Sequence, residues 1–68
     1  MVIPSTLEVL DKYTFYPCEK LTSVVFAEGS RLREIRDGCF ANTGLKVFEA
    51  PPSLREIGNG AFCFCKNL

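Results

Sequence analysis

The residues best suited to chemistry in this chain are its four cysteines, because no histidine is present as a general base or metal ligand. A reactive thiol needs a nearby base or an electropositive setting, and the surrounding sequence offers neither. A zinc site would need four converging thiolates, yet a single residue separates Cys63 from Cys65 and the other two cysteines lie far along the chain. We therefore predict no catalytic residue, no metal site, no cofactor and no enzyme activity.

Length and charge exclude several other classes. The chain has 68 residues, 47% of them apolar, and its eight basic side chains balance eight acidic ones, which indicates one globular domain without a basic surface for nucleic acid. No apolar run approaches the roughly 20 residues of a membrane span. Residues 1–5 lack the features of a signal peptide. We expect neither nucleic-acid binding nor membrane insertion.

The segments of the chain that carry the cysteines belong to a pattern that repeats three times. Each copy has a leucine, an aliphatic residue three positions on and a phenylalanine eight positions on, with a mean period of about 23 residues. The leucines are Leu7, Leu32 and Leu54, and the phenylalanines are Phe15, Phe40 and Phe62. We interpret the chain as a single repeat domain with approximate repeats at 1–21, 22–45 and 46–68.

Two kinds of segment recur within each repeat. The Leu-x-x-Ile stretch is expected to be extended, followed by a turn at Asp37-Gly38 or Asn59-Gly60 and a tight helical turn that presents the phenylalanine. The stretches 21–26 and 45–50 share the pattern L-x-x-φ-x-φ (φ, apolar), and we expect them to pair as a parallel sheet. The alternative is a small helical repeat, because the same spacing fits one face of a helix, although the glycines disfavour it.

Such repeats bury one edge of each copy against the next, so the phenylalanine column should stack into a continuous core. The outward positions of the L-x-x-φ-x-φ stretches then form the candidate protein-binding face. Its residues are Thr22, Val25, Lys46, Val47 and Glu49.

The cysteines take positions within this pattern. Cys18 and Cys65 occupy the same position in the repeat but lie two repeats apart. The distance between them is therefore about 9–10 Å, which is longer than a disulfide can span. We expect both to be buried as small apolar groups, and Cys39 likewise, whereas Cys63 should be exposed. A bridge between Cys39 and Cys63 stays geometrically open.

The stretch from Ala50 to Leu68 reads A-P-P-S-L-R-E-I-G-N-G-A-F-C-F-C-K-N-L, and its pattern resembles the BspA-type leucine-rich repeat. The resemblance extends over essentially the whole chain and implies a leucine-rich-repeat solenoid of short strands, turns and short helical turns, with a parallel sheet on one face. It also implies protein binding or adhesion at a cell surface, with no catalytic residue. Tyr13 departs from the pattern by replacing the turn glycine, and Thr43 by replacing the cysteine.

Three functions from different classes follow. The first is a non-enzymatic interaction or adhesion module that binds protein partners through the outward strand face. The second is a structural repeat spacer, and the third, more remote, is a thiol-dependent redox protein. Neither end shows a polar capping repeat, so we expect a piece of a longer array, or a small protein that associates end to end with copies of itself.

Overall fold

A computed structural model describes all 68 residues and contains strands and turns but no helix. Its five strands are two residues long each. In chain order they are β1 (Val2–Ile3), β2 (Val9–Leu10), β3 (Val25–Phe26), β4 (Glu34–Ile35) and β5 (Glu56–Ile57). The expected short extended segments are therefore present. The expected turns at the phenylalanines are also present, but none of them forms a helix, and the alternative of a helical repeat is wrong. Gly38 and Gly60 take the left-handed backbone conformation in these turns, which interrupts a helix.

The strands form two parallel sheets, and within each sheet the paired strands come from equivalent positions in different repeats. One sheet has the order β2-β4-β5, with Leu10, Ile35 and Ile57 in register, and the other consists of β1 and β3. The sheet that runs through all three repeats is thus formed by the Leu-x-x-Ile stretches. The L-x-x-φ-x-φ stretches, where we expected the sheet, provide a strand in the second repeat but none in the third.

The phenylalanine column stacks as predicted. The rings of Phe15 and Phe40 lie 5.0 Å apart at 9°, and those of Phe40 and Phe62 lie 5.4 Å apart at 7°. Phe40 is fully buried at the centre, while Phe15 and Phe62 are half-buried because each has a neighbouring repeat on one side. Phe48 packs across the stack, 4.8 Å from the ring of Phe62. The aromatic stack is the continuous part of the core.

The turn before each phenylalanine has a left-handed residue at one fixed position. Gly38 and Gly60 both have φ of 65°, and Tyr13 fills the same column in the first repeat with φ of 56°. The ring of Tyr13 lies against Gly38, where a Cβ would overlap it. A tyrosine in this conformation carries strain that glycine avoids, and its ring replaces the missing side chain of the neighbouring glycine.

Backbone hydrogen bonds join successive turns, and all of them run in one direction. The N–H groups of each turn donate to the carbonyl groups of the next repeat. The pairs are Tyr13 to Asp37 (3.1 Å), Phe15 to Cys39 (2.9 Å), Gly38 to Asn59 (3.2 Å), Phe40 to Ala61 (2.8 Å) and Asn42 to Cys63 (2.8 Å). In the strand region the bonds also run the other way, for example from Arg36 N–H to the carbonyl of Leu10 at 2.9 Å. The stacking interface therefore has two distinct faces.

Candidate protein-binding site

A groove of about 550 Å³ opens between β3 and the L-x-x-φ-x-φ stretch 45–50. Its apolar walls come from the exposed side chains of Val25 and Val47, and Phe26 contributes to its lining. The ring of Phe26 meets that of Phe48 edge to face at 5.7 Å, which anchors this wall to the aromatic core. The groove combines a fixed apolar surface with free access from solvent.

The groove exists because the backbones of the second and third repeats are joined by a hydrogen bond at its start and then diverge. Lys46 N–H donates to the carbonyl of Thr22 at 3.2 Å, but no hydrogen bond joins the third repeat to Val24 or Phe26. In the preceding pair of repeats, Ala27 N–H donates to the carbonyl of Ile3 at 3.0 Å. Pro51 occupies the position of Ala27 in the third repeat and has no N–H to donate. The edge of β3 is left unpaired along the groove.

The five residues predicted for a binding face are all exposed. Val25, Val47 and Glu49 line the groove together, whereas Thr22 and Lys46 lie outside its lining, where the two repeats are still hydrogen-bonded. Their role in binding stays a prediction.

Sequence reasoning missed most of the groove's remaining lining. Ala50 holds the last apolar position of the L-x-x-φ-x-φ pattern, yet it is exposed and lines the groove with Pro51 and Pro52. The signal that could have located the opening is the Pro51-Pro52 pair, since proline in this column interrupts a strand ladder. Glu28 also lines the groove, and it lies in the segment between β3 and β4.

The groove is acidic as well as apolar. Glu28 and Glu49 line it, and no lysine or arginine does. None of the ion pairs in the chain involves either glutamate. Because the walls of the groove are apolar and its two carboxylates have no cationic partner, the groove favours a ligand with apolar side chains and positive charge.

A second, charged hollow lies along β4 and β5, but its central charges are already paired within the chain. The Arg36 guanidinium lies 3.2 Å from a Glu34 carboxylate oxygen and 3.5 Å from one of Asp11. Glu34 first, and Asp11 after it, raise the pKa of Arg36 above its usual value. The pKa of Asp11 is lowered, mainly because the Lys12 N–H donates to its carboxylate at 2.7 Å. These paired groups offer little free charge to a ligand.

The cysteines differ in burial. Cys39 is fully buried in the core as predicted, and burial raises the pKa of its thiol, so it is poorly suited as a nucleophile. Cys63 is exposed, also as predicted. All four cysteines are free thiols in this structure.

The prediction that Cys18 and Cys65 are buried is wrong. Cys65 is half-buried and donates its S–H to the carbonyl of Phe40 at 3.0 Å, and its sulfur lies 3.4 Å from the Thr43 hydroxyl. Both partners belong to the preceding repeat. Cys18 lies in the first repeat, with no preceding repeat to pack against, and is exposed.

No helix in the structure is long and apolar enough to cross a bilayer. No group of three or more cysteine or acidic side chains is placed to hold a metal ion.

Comparison with known proteins gives one match. The model of the BspA type leucine rich repeat region, described as containing six copies, matches residues 1–68. No curated protein and no solved structure matches the chain. The match spans every residue of the three repeats, and the structure contains the short parallel strands that such a repeat requires. The chain belongs to the BspA-type leucine-rich repeat family.

Proposed function

We propose that this chain is a non-enzymatic protein-interaction module, of the adhesive kind found at cell surfaces, whose binding site is the groove beside β3. The observation that carries the proposal is the unpaired edge of β3, flanked by the exposed side chains of Val25 and Val47. Its occupant is an extended segment of a partner protein that bears apolar side chains and at least one lysine or arginine.

Backbone groups support an extended ligand. In a parallel pair, alternate residues of a strand direct their N–H and C=O groups to opposite sides. Val25 and Ala27 donate towards the first repeat, so Val24 and Phe26 direct theirs towards the groove, where they have no partner. A peptide strand added at this edge would pair with them, and its alternate side chains would reach the apolar walls.

Charge supports the basic residue. A lysine or arginine near Glu28 or Glu49 would gain a charge-assisted hydrogen bond with a carboxylate that has no other cationic partner. An acidic peptide would meet repulsion from the same two groups. The proposed specificity is therefore for extended apolar and basic segments.

We also propose that the three repeats form part of a longer solenoid. The family model contains six copies, and the face of the third repeat exposes Ile57, Phe64 and Leu68. A further repeat stacked there would cover this apolar surface, as the third repeat covers the second.

The binding proposal is tested by selecting a display library of short linear peptides against the purified chain. The selected sequences should be rich in apolar and basic residues. Val25→Lys should reduce affinity at least tenfold, because it places a charge in the groove and repels basic ligands. Asn67→Lys adds the same charge at an exposed site outside the groove and should bind like the parent.

Equal affinity of the Val25→Lys variant, confirmed as folded by circular dichroism, would show that the groove is not the site. A folded chain that selects no peptide at all would favour the structural spacer instead.

A further inference from the structure

We infer that the occupant of the groove beside β3 is the free carboxyl-terminal end of a partner chain, bound antiparallel to β3. The inference rests on the peptide binding proposed for this groove, and it adds which end of the ligand enters and in which direction. The two ends of the groove differ in shape and in charge, and both differences select the same ligand.

The groove is closed at one end and open at the other. Its walls start together, where Lys46 N–H donates to the carbonyl of Thr22 at 3.2 Å. No hydrogen bond joins the third repeat to Val24 or Phe26, and at the far end Pro51 has no N–H to donate. An extended chain that follows the edge of β3 therefore meets joined backbones at the Thr22 end and leaves freely at the Pro51 end. A chain terminus fits such a site without bending.

Hydrogen-bond donors surround the closed end. Ser23 and Val24 line it, and the Ser23 hydroxyl makes no hydrogen bond within the chain. The Val24 N–H, which is directed towards the groove, has no partner either. The Lys46 ammonium belongs to the same end and takes part in no ion pair. A carboxylate accepts from a hydroxyl, an N–H and an ammonium alike, and every unmodified polypeptide carries one at its carboxyl terminus.

Acidic side chains stand towards the open end. Along each wall an apolar residue comes before an acidic one, because Val25 precedes Glu28 and Val47 precedes Glu49. Neither glutamate takes part in an ion pair. In the amino-to-carboxyl direction of β3, the groove therefore runs from positive charge, through an apolar middle, to negative charge.

This order of charges sets the direction of the ligand. A carboxylate beside Lys46 requires the ligand to run antiparallel to β3, so that its preceding residues extend towards the open end. A lysine or arginine upstream of the terminus then reaches Glu28 or Glu49. A ligand of the opposite direction would place its terminal ammonium beside Lys46, where like charges repel, and would leave the donors of the closed end unpaired.

The backbone of β3 accepts an antiparallel strand. In an antiparallel pair, alternate residues exchange both N–H···O bonds with the residue opposite. Val24 and Phe26 both direct these groups towards the groove, so the last ligand residue pairs with Val24 and its carboxylate accepts the Val24 N–H. The residue before it lies opposite Val25, which is exposed, and should be apolar. The basic residue near Glu28 comes two or three positions earlier.

Two display libraries of the same random heptapeptides test the inference. In one library the peptides are fused through their amino ends and present a free carboxylate, and in the other they are fused through their carboxyl ends. We expect binders mainly from the first library, with an apolar residue next to the last and a lysine or arginine two or three positions before it. Equal enrichment of both libraries, or binders whose basic residue follows the apolar one, would overturn the inference.

The tightest selected peptide is then synthesised as a carboxylate and as a carboxamide. Amidation removes the charge that the closed end pairs with, so it should weaken binding about tenfold. Lys46→Gln should weaken binding of the carboxylate about fivefold and leave binding of the carboxamide unchanged. Lys20→Gln removes the same charge at an exposed site outside the groove, and it should bind both forms like the parent.

Equal affinity of the parent for the two forms would overturn the inference, as would an equal effect of Lys46→Gln on both, with the variant folded by circular dichroism. These failures are distinct from a failure of peptide binding itself. If Val25→Lys abolishes binding while amidation has no effect, the groove binds peptides but does not recognise their ends. If neither library yields a binder, peptide binding and this inference both fail.

Discussion

The second and third repeats contain the same tetrapeptide, Leu-Arg-Glu-Ile, at residues 32–35 and 54–57, yet the two copies differ sharply in burial. Leu32 and Ile35 are fully buried, whereas Leu54 is half-buried and Ile57 is 52% exposed. The strands themselves are alike, because Glu34–Ile35 and Glu56–Ile57 pair in register within one parallel sheet. Local sequence and local conformation are thus shared, and only the surroundings differ.

The difference shows that a residue in this column is buried by the repeat that follows it, because Leu10 and Ile35 are each followed by a repeat and are 3% and 0% exposed. The second repeat is covered on both sides, and the third on one. In a stack of repeats, stability is approximately the sum of contributions from each repeat and from the contacts between neighbours. Matched substitutions in the two copies therefore measure the contribution of position in the stack with sequence held constant.

The largest expected difference is between Ile35→Ala and Ile57→Ala. Ile35 is fully buried, so its truncation should cost about 2–5 kcal/mol, enough to unfold much of a domain this small. Ile57 is half in solvent, and the same change there should cost about 1 kcal/mol or less. Urea unfolding followed by circular dichroism measures both. Equal losses would contradict the role assigned to stack position.

The next effect concerns the left-handed turn glycines. Gly38→Ala and Gly60→Ala each impose about 1–2 kcal/mol of backbone strain, because both residues have φ of 65°. The new methyl group at position 38 also overlaps the ring of Tyr13, whereas at position 60 the nearest atom is Cys63 Cβ at 3.7 Å. Thermal unfolding should therefore show the larger loss for Gly38→Ala.

A double variant separates the two causes. With Tyr13→Ala in the background, Gly38→Ala should cost no more than Gly60→Ala, because the ring that it overlaps is gone. A cost for Gly38→Ala that stays unchanged in that background would mean that strain alone accounts for it.

The smallest effect is a pH dependence from Cys39, whose counterpart in the third repeat is Ala61. Burial raises the pKa of this thiol above its usual value of 9.0, so the unfolded chain loses the proton at lower pH than the folded chain does. The stability that Cys39 contributes is fully present below pH 9.0 and declines as pH rises towards the folded-state pKa. The decline is at most about 1.4 kcal/mol per pH unit for one proton.

Cys39→Ala should remove that part of the decline. The measurement is the free energy of unfolding of both proteins between pH 8 and pH 10.5. Parallel curves for the parent and Cys39→Ala would contradict the shifted pKa.

Much of the fold could be predicted from residue spacing. The columns of leucine, aliphatic residue and phenylalanine identified the repeat, its family, and the stack of Phe15, Phe40 and Phe62. These predictions succeeded because a side chain that recurs at one position in every repeat must face the same interior. Cys39 was placed in the core for the same reason.

The wrong predictions concern properties that the position of a residue within its repeat does not determine. The continuous sheet lies on the Leu-x-x-Ile stretches, because Pro51 cannot donate the hydrogen bond that would extend the β1–β3 sheet. Cys18 and Cys65 share a column, but Cys65 has a preceding repeat to donate to and Cys18 does not. The five proposed binding residues were located on the surface, but the groove that unites three of them was not predicted, although the Pro51-Pro52 pair marks its position.

Residue types and their spacing alone thus predicted the repeat and the identity of the phenylalanine column in the core. Those features follow from chain periodicity, which is a local property. The location of the sheet, the opening beside β3 and the contrast between Ile35 and Ile57 emerged only when the repeats were stacked. Each of them depends on which backbone groups and side chains of a neighbouring repeat lie within contact distance, and residues in one repeat cannot specify that for themselves.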